Sequence, residues 1–224
     1  DIPRVAIEQL ARPFVAAGYR SIASYSFPLK RLHAQHFAHP DPQLPKLFIS
    51  QLRVAHLPEP HQEVIHQLVS QIPAAILQSD SLCCSGRHWP INFDTYRQLE
   101  SVSRYAAWIY ASGYRPDHYS LLVNALESHH SLEEVNDFLL AQGFKLHSAG
   151  GLIKGSADEL LEQSSTLANT VEAPFTDQTA TIPGGYVEFS QRYPQAGGTL
   201  FQGFIAESCD TMFTSTDRIH SYPG

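Results

Sequence analysis

Pro183-Gly-Gly-Tyr-Val-Glu-Phe-Ser-Gln-Arg-Tyr193 constrains the fold more than any other stretch. A Pro-Gly-Gly turn signal runs directly into a β-prone alternation that sends Tyr186, Glu188, Ser190 and Arg192 to one face and Val187 and Phe189 to the other. A chain that puts a carboxylate on a strand flanked by apolar residues must bury one face of a sheet there. Arg115-Pro-Asp-His-Tyr-Ser-Leu-Leu-Val-Asn124 has the same character, with His118, Ser120, Leu122 and Asn124 on one face. One His and one Glu on two strands of one sheet can ligate a single metal ion, or each can be a hydrogen-bonded polar residue on a half-buried sheet.

The remaining elements follow from periodicity and punctuation. Residues 2–17 have helical spacing, with Pro13 expected to kink or end the helix and Gly18 to stop it. Residues 19–27, 29–37 and 46–54 read as strands, residues 59–72 as a helix, and residues 94–111 as a longer one. Between these helices, residues 79–90 have the composition of a loop, suited to a lid or a connection. After the His118 strand, Ser131-Leu-Glu-Glu134 is a capping box opening a helix to Gln142, and residues 144–148 read as a strand. Ser156-Ala-Asp-Glu159, a second capping box, predicts a helix through Ser164 before a polar stretch and the strand at 180–183. The chain divides into a first module at 1–58, a helical connection at 59–113 and a second module at 114–224, within a single domain. The two modules share a weak repeat in element order, in which Gln51 of Ile49-Ser-Gln-Leu52 corresponds to Glu188.

Composition narrows the partners. A net charge of −7, with no Lys or Arg run longer than two, argues against nucleic acid and against a membrane-surface helix, so small molecules are expected. Three cysteines, two of them adjacent at Cys83-Cys84, give neither a disulfide framework nor a zinc ribbon and fit a reducing cytoplasm. No stretch approaches the roughly 18 apolar residues of a spanning helix. His33, His36 and His39 recur every third position, which on a strand puts neighbours on opposite faces and disfavours a common ion. No G-x-S-x-G supports a serine nucleophile, and no local context singles out Cys83, Cys84 or Cys209.

An ordered set of motifs then resembles one family. Asp117-His-Tyr-Ser-Leu-Leu-Val-Asn124, Ser131-Leu-Glu-Glu-Val-Asn136, Gly143-Phe-Lys-Leu146, Gly150-Gly-Leu-Ile-Lys-Gly155, Leu160-Leu-Glu-Gln-Ser-Ser-Thr166, Tyr186-Val-Glu-Phe189, Arg192-Tyr-Pro194 and Gln202-Gly-Phe204 are similar to the signature of the 2-oxoadipate dioxygenase/decarboxylase (2-hydroxyglutarate synthase) family. Looser similarity continues upstream through Phe27-Pro-Leu-Lys30 and Leu47-Phe-Ile-Ser50. The resemblance implies an α+β fold in which two βαβββ modules form an open β-barrel of the vicinal-oxygen-chelate type, with added helices and the first strand absent from this chain. It implies a non-haem Fe(II) centre, open to another divalent metal, with His118 and Glu188 as ligands and catalytic residues. The third ligand, a histidine, is expected on a strand upstream of Asp1, which either precedes this stretch of a longer chain or is naturally lacking. The implied reaction is oxidative decarboxylation of a 2-oxo acid by dioxygen, as from 2-oxoadipate to 2-hydroxyglutarate. Lys154, Arg192 and Ser120 are the candidate substrate-binding residues, although Arg192, some 13 Å along the strand from Glu188, also suits a structural ion pair. Glu162, Gln163 and Ser164 are candidates for support of the ligands or anchoring of a loop. A hydrolase, isomerase or lyase on the same fold, or a non-catalytic binding protein, remain the alternatives.

Overall fold

The computed structural model describes residues 1–205, and these form two compact units. Cys209 lies outside the described residues. The first unit comprises Asp1–Pro116 with Glu172–Ala180, and the second Asp117–Val171 with residues 181–205. Residues 59–113, expected as a connection between modules, therefore belong to the first unit.

In the first unit, α1 (Ile7–Ala16) leads into an antiparallel sheet of order β1 (Arg20–Phe27), β2 (Leu32–Ala38), β3 (Leu47–Leu52). Its core forms where Ile7 and Ala11 of α1 meet Tyr19 and Phe37, with Leu47 and Ile49 at the margin. Pro13 sits inside α1 without ending it. The expected strand at 29–37 begins later, because Pro28–Lys30 forms a single 3₁₀ turn and Arg31 turns the chain at φ 55°. Helices α2 (Glu59–Ser70), α3 (Ala74–Gln78), α4 (Phe93–Val102) and α5 (Arg104–Ser112) complete the unit. The helix expected over 94–111 is thus two. Ser103 adopts an extended conformation and its hydroxyl accepts from the Ala106 amide, which caps a fresh start at that point.

The second unit follows the βαβββ order. Strand β4 (His118–Leu122) leads to α6 (Leu132–Ala141), then β5 (Lys154–Ser156), β6 (Leu161–Ser165) and, after a hairpin of β7 (Thr170–Pro174) and β8 (Thr179–Pro183), β9 (Tyr186–Arg192). The sheet order is β4-β9-β6-β5, with β4 parallel to β9 and the other pairs antiparallel. First strand beside last is the arrangement expected of a vicinal-oxygen-chelate module, and it sets the ends of the module next to each other in space. The capping box of α6 forms as expected, Ser131 accepting from the Glu134 amide. Val123, Leu132, Val135, Leu139 and Leu146 of this region close over Phe189, with Val187 at the edge, so β9 turns its apolar face to α6 and its polar face the other way.

Two expected elements of this unit do not form. Residues 144–148 make only a single bridge, Leu146 to Thr166, rather than a strand. The helix predicted over 156–164 is instead the turn of a β5–β6 hairpin. Its capping hydrogen bonds are made, Ser156 accepting from the Glu159 amide and donating to the Glu159 carboxylate, but Leu160 then takes φ 64° and reverses the chain. A local cap satisfies one turn of backbone whether or not a helix follows. Leu160→Gly discriminates the two: glycine relieves roughly 1 kcal/mol of left-handed strain in this turn but would cost about as much in a helix. Thermal unfolding is expected to show equal or higher stability for this variant.

Candidate active site

The polar face of the second sheet is set by strand register. His118 pairs with Tyr186, Ser120 with Glu188, and Leu122 with Ser190, while on the other side Ser165 pairs with Glu188 and Gln163 with Ser190. Tyr186, Glu188, Ser190, Gln163 and Ser165 are all buried there. The Pro-Gly-Gly turn makes this alignment possible. A Cβ at Gly184 would stand 2.1 Å from Asn169 Oδ1, and one at Gly185 would press the Asp117 carbonyl at 3.0 Å. Glycine at 185 thus eases the close approach of the start of β9 to the Asp117 carbonyl just before β4, and glycine at 184 leaves room for the Asn169 side chain.

His118, at the start of the edge strand β4, and Glu188 of the neighbouring β9 meet on this face, with Nε2 3.8 Å from Oε2. Every other polar atom of the pair is engaged. Asp117 Oδ1 lies 2.6 Å from His118 Nδ1, which makes Nδ1 the donor and leaves Nε2 pointing at Glu188. The imidazole also stacks on Tyr186, with ring centres 4.5 Å apart and planes 14° from parallel. Gln163 Nε2 donates to Glu188 Oε1 at 2.7 Å, and Ser190 Oγ donates to the same oxygen at 3.1 Å. Since Ser190 has one hydrogen and gives it to the carboxylate, Ser120 must be the donor in the 2.9 Å contact between the two hydroxyls. Gln163 Oε1 is buried without a partner, an acceptor open to a ligand or water.

Burial disfavours a charge on His118, but Asp117, by charge and hydrogen bond, and Glu188, by charge, overcome it and raise its pKa to about 9. This proton occupies the place a metal would take. Two donors at about 2.1 Å from one ion can be at most about 4.2 Å apart, so the observed 3.8 Å fits a shared ion. A carboxylate behind the imidazole and two donors behind the carboxylate are what metal-binding His and Glu side chains need to hold their orientation. Among the described residues no third His, Cys, Asp or Glu is placed to ligate the same ion, Asp117 lying behind the imidazole on Nδ1.

The other sequence-predicted residues divide. Ser120 lies on the site face and acts through Ser190. Lys154, buried at the start of β5, donates to the carbonyls of His147 and Gly151. Arg192, also buried, donates to the carbonyls of Phe201 and Gly203 and stacks on Phe204, so it holds the segment after β9 in place. Of the three neighbours on β6, Gln163 supports Glu188, whereas Glu162 faces the opposite side and accepts from the Tyr193 hydroxyl. The role of Asp117 escapes strand alternation, which would send it away from His118; it precedes β4 and is free to turn back. In the first unit Gln51 borders a separate cavity of about 290 Å³ with Asp1, His33, Arg53 and His56. Its amide oxygen is already used by the Ile7 amide, so it does not reproduce Glu188.

A profile of the family described as 2-oxoadipate dioxygenase/decarboxylase matches residues 83–221. The chain is 34% identical over 237 residues to the chloroplastic 2-oxoadipate dioxygenase/decarboxylase of Arabidopsis thaliana, covering 94% of this chain. It spans 64% of the length of that relative. Among crystal structures, the hydroxyglutarate synthase of Oryza sativa in complex with 2-oxoadipate is similar at a TM-score of 0.90 and 28% identity, covering 97% of this chain and 78% of that one. A Shewanella frigidimarina protein provisionally described as a hydrolase is similar at a TM-score of 0.88 and 44% identity, covering 92% and 81%. The chain belongs to the 2-oxoadipate dioxygenase/decarboxylase family.

Proposed function

We propose that this chain carries the metal-holding module of a non-haem iron(II) dioxygenase that converts a 2-oxo acid such as 2-oxoadipate, with dioxygen, to carbon dioxide and a 2-hydroxy acid such as 2-hydroxyglutarate. The supporting observation is the pair His118 Nε2 and Glu188 Oε2, 3.8 Å apart, each with its second polar atom tied back by Asp117 or by Gln163 and Ser190. A ferrous ion held by His118 and Glu188 would relay electrons from the acid to dioxygen as the acid loses carbon dioxide. The chain's own task is positional. Asp117 keeps the imidazole in the tautomer that offers Nε2, and Gln163 and Ser190 leave Oε2 as the free carboxylate oxygen. Tyr186 fixes the plane of the ring, and Ser120 holds Ser190 to its donor role. Two protein ligands hold iron weakly, and the family resemblance implies a third, a histidine. Dioxygen and the acid are the proposed partners. Among the described residues no helix is long and apolar enough to cross a membrane. We place the protein in the cytoplasm on its free Cys83 and Cys84, although the Arabidopsis thaliana relative is chloroplastic by name.

Oxygen uptake with 2-oxoadipate tests the reading, with one carbon dioxide and one 2-hydroxyglutarate expected per dioxygen. Bound metal without oxygen uptake would favour hydrolase, isomerase or lyase chemistry, and acid binding without metal a binding protein. Asp117→Asn is expected to weaken iron binding about 10- to 100-fold while leaving the fold intact, the range for loss of a partner behind a ligand, as read by metal titration.

A further inference from the structure

We propose that Lys154 clamps the far carboxylate of the substrate and so makes the site prefer dicarboxylic to monocarboxylic 2-oxo acids. This assignment rests on His118 and Glu188 holding the near end of the acid, as set out above.

Lys154 opens β5 on the same polar face, in register with Gln163, which is in register with Ser190. It is 5% exposed, and its ammonium donates to two neutral carbonyls, His147 O at 2.7 Å and Gly151 O at 2.6 Å. Among the described residues no carboxylate pairs with it. A buried ammonium without a counter-charge is costly, and carbonyl dipoles replace only part of its hydration. Burial accordingly lowers its pKa to about 8. An anion arriving from outside would relieve that cost. Arg192, the other buried cation on this face, is committed to the carbonyls of Phe201 and Gly203.

The position suits one end of a substrate. The His147 amide donates to Ser165 O, and Ser165 is the register partner of Glu188, so the carbonyl that draws the ammonium lies at the level of Glu188 along the sheet. Across the sheet, β5 and β9 are separated by two strand spacings, roughly 9.6 Å. A six-carbon diacid has five carbon–carbon bonds of about 1.5 Å and extends roughly 6 Å between its end carbons. A charge-assisted hydrogen bond of about 2.8 Å closes most of the remaining gap. An acid of the same length ending in a methyl group would set an apolar atom against the ammonium.

The test is titration calorimetry of 2-oxoadipate and 2-oxohexanoate against the metal-loaded full chain, as wild type, Lys154→Met and Lys154→Gln, with bound metal determined for each. Glutamine can still donate to the loop carbonyls but carries no charge, so it separates loss of the clamp from collapse of the 147–151 turn and stands in if the Met variant fails to fold. The wild type is expected to bind the diacid about 100-fold more tightly, the range for one hydrogen bond between charged groups. Both variants are expected to lose that preference, with 2-oxohexanoate affinity within about 2-fold of wild type and metal content unchanged. A wild type that binds both acids equally or neither, or variants that keep the preference or weaken both acids alike, would overturn the assignment. None of these readouts requires turnover, so discrimination without oxygen uptake would retain the clamp and remove the redox reading alone.

Discussion

Glu188→Gln is expected to lose most of its bound iron and all oxygen-dependent turnover of 2-oxo acid. The substitution keeps the volume of a side chain that is only 4% exposed, so packing on β9 survives. What goes is the anionic oxygen facing His118 Nε2 across 3.8 Å, and with it the charge that helps hold a divalent ion. The amide also disturbs its supporters, because Gln163 Nε2 and Ser190 Oγ both donate to one oxygen of the present carboxylate. Glu162→Gln is the matched control. Glu162 lies on the opposite face of β6 and accepts from the Tyr193 hydroxyl, so metal content and turnover are expected to stay within about 2-fold of wild type, well short of the 10- to 100-fold loss that follows removal of a partner behind a ligand. Metal analysis and oxygen uptake on the three proteins check both expectations.

The second large effect is in pH. Without metal, His118 is expected to titrate near 9, since Asp117 and Glu188 outweigh the burial that opposes its charge. The folded-state value is raised above the ordinary one near 6.5, so the protonated imidazole stabilises the metal-free protein fully below that pH, and the contribution is lost as pH rises through about 9. If the proposed ion binds at His118, metal and proton compete for Nε2. Between pH 6.5 and 9, iron or a redox-inert divalent surrogate is therefore expected to release about one proton on binding, and its apparent affinity to rise about tenfold per pH unit before levelling off. Affinity near pH 7 would then lie about 100-fold below the plateau, and Glu188→Gln, having lost one of the charges that raise the value, should reach its plateau at lower pH. Calorimetry in buffers of different ionisation enthalpy counts the protons.

Much of the site was legible from alternation. The spacing of Tyr186, Glu188, Ser190 and Arg192 against Val187 and Phe189 places the carboxylate opposite the apolar core; the His118 strand keeps the register, but its other face, Tyr119 and Leu121, is exposed rather than packed on that core. What alternation cannot supply is which strands are neighbours. That Ser165 and Gln163 flank Glu188 is a fact of long-range register, and with 156–164 read as a helix Gln163 has no defined face. That error has a local cause: Ser156 and Glu159 make the hydrogen bonds of a helix start, and nothing in composition announces that Leu160 will take a left-handed conformation. Ser103 is the converse, a cap hidden inside a continuous helical pattern. Lys154 was legible as a candidate by type, but its burial without a carboxylate partner among the described residues depends on the turn that brings the carbonyls of His147 and Gly151 to it.

The central claim, that His118 and Glu188 share one divalent ion, is tested most directly by anomalous diffraction at the iron edge from crystals of the iron-loaded full chain. A single peak about 2.0 to 2.2 Å from both His118 Nε2 and Glu188 Oε2, with Asp117 still bonded to Nδ1, is the predicted result. A peak bound elsewhere, or iron absent while His118 and Glu188 remain paired to each other, would contradict it.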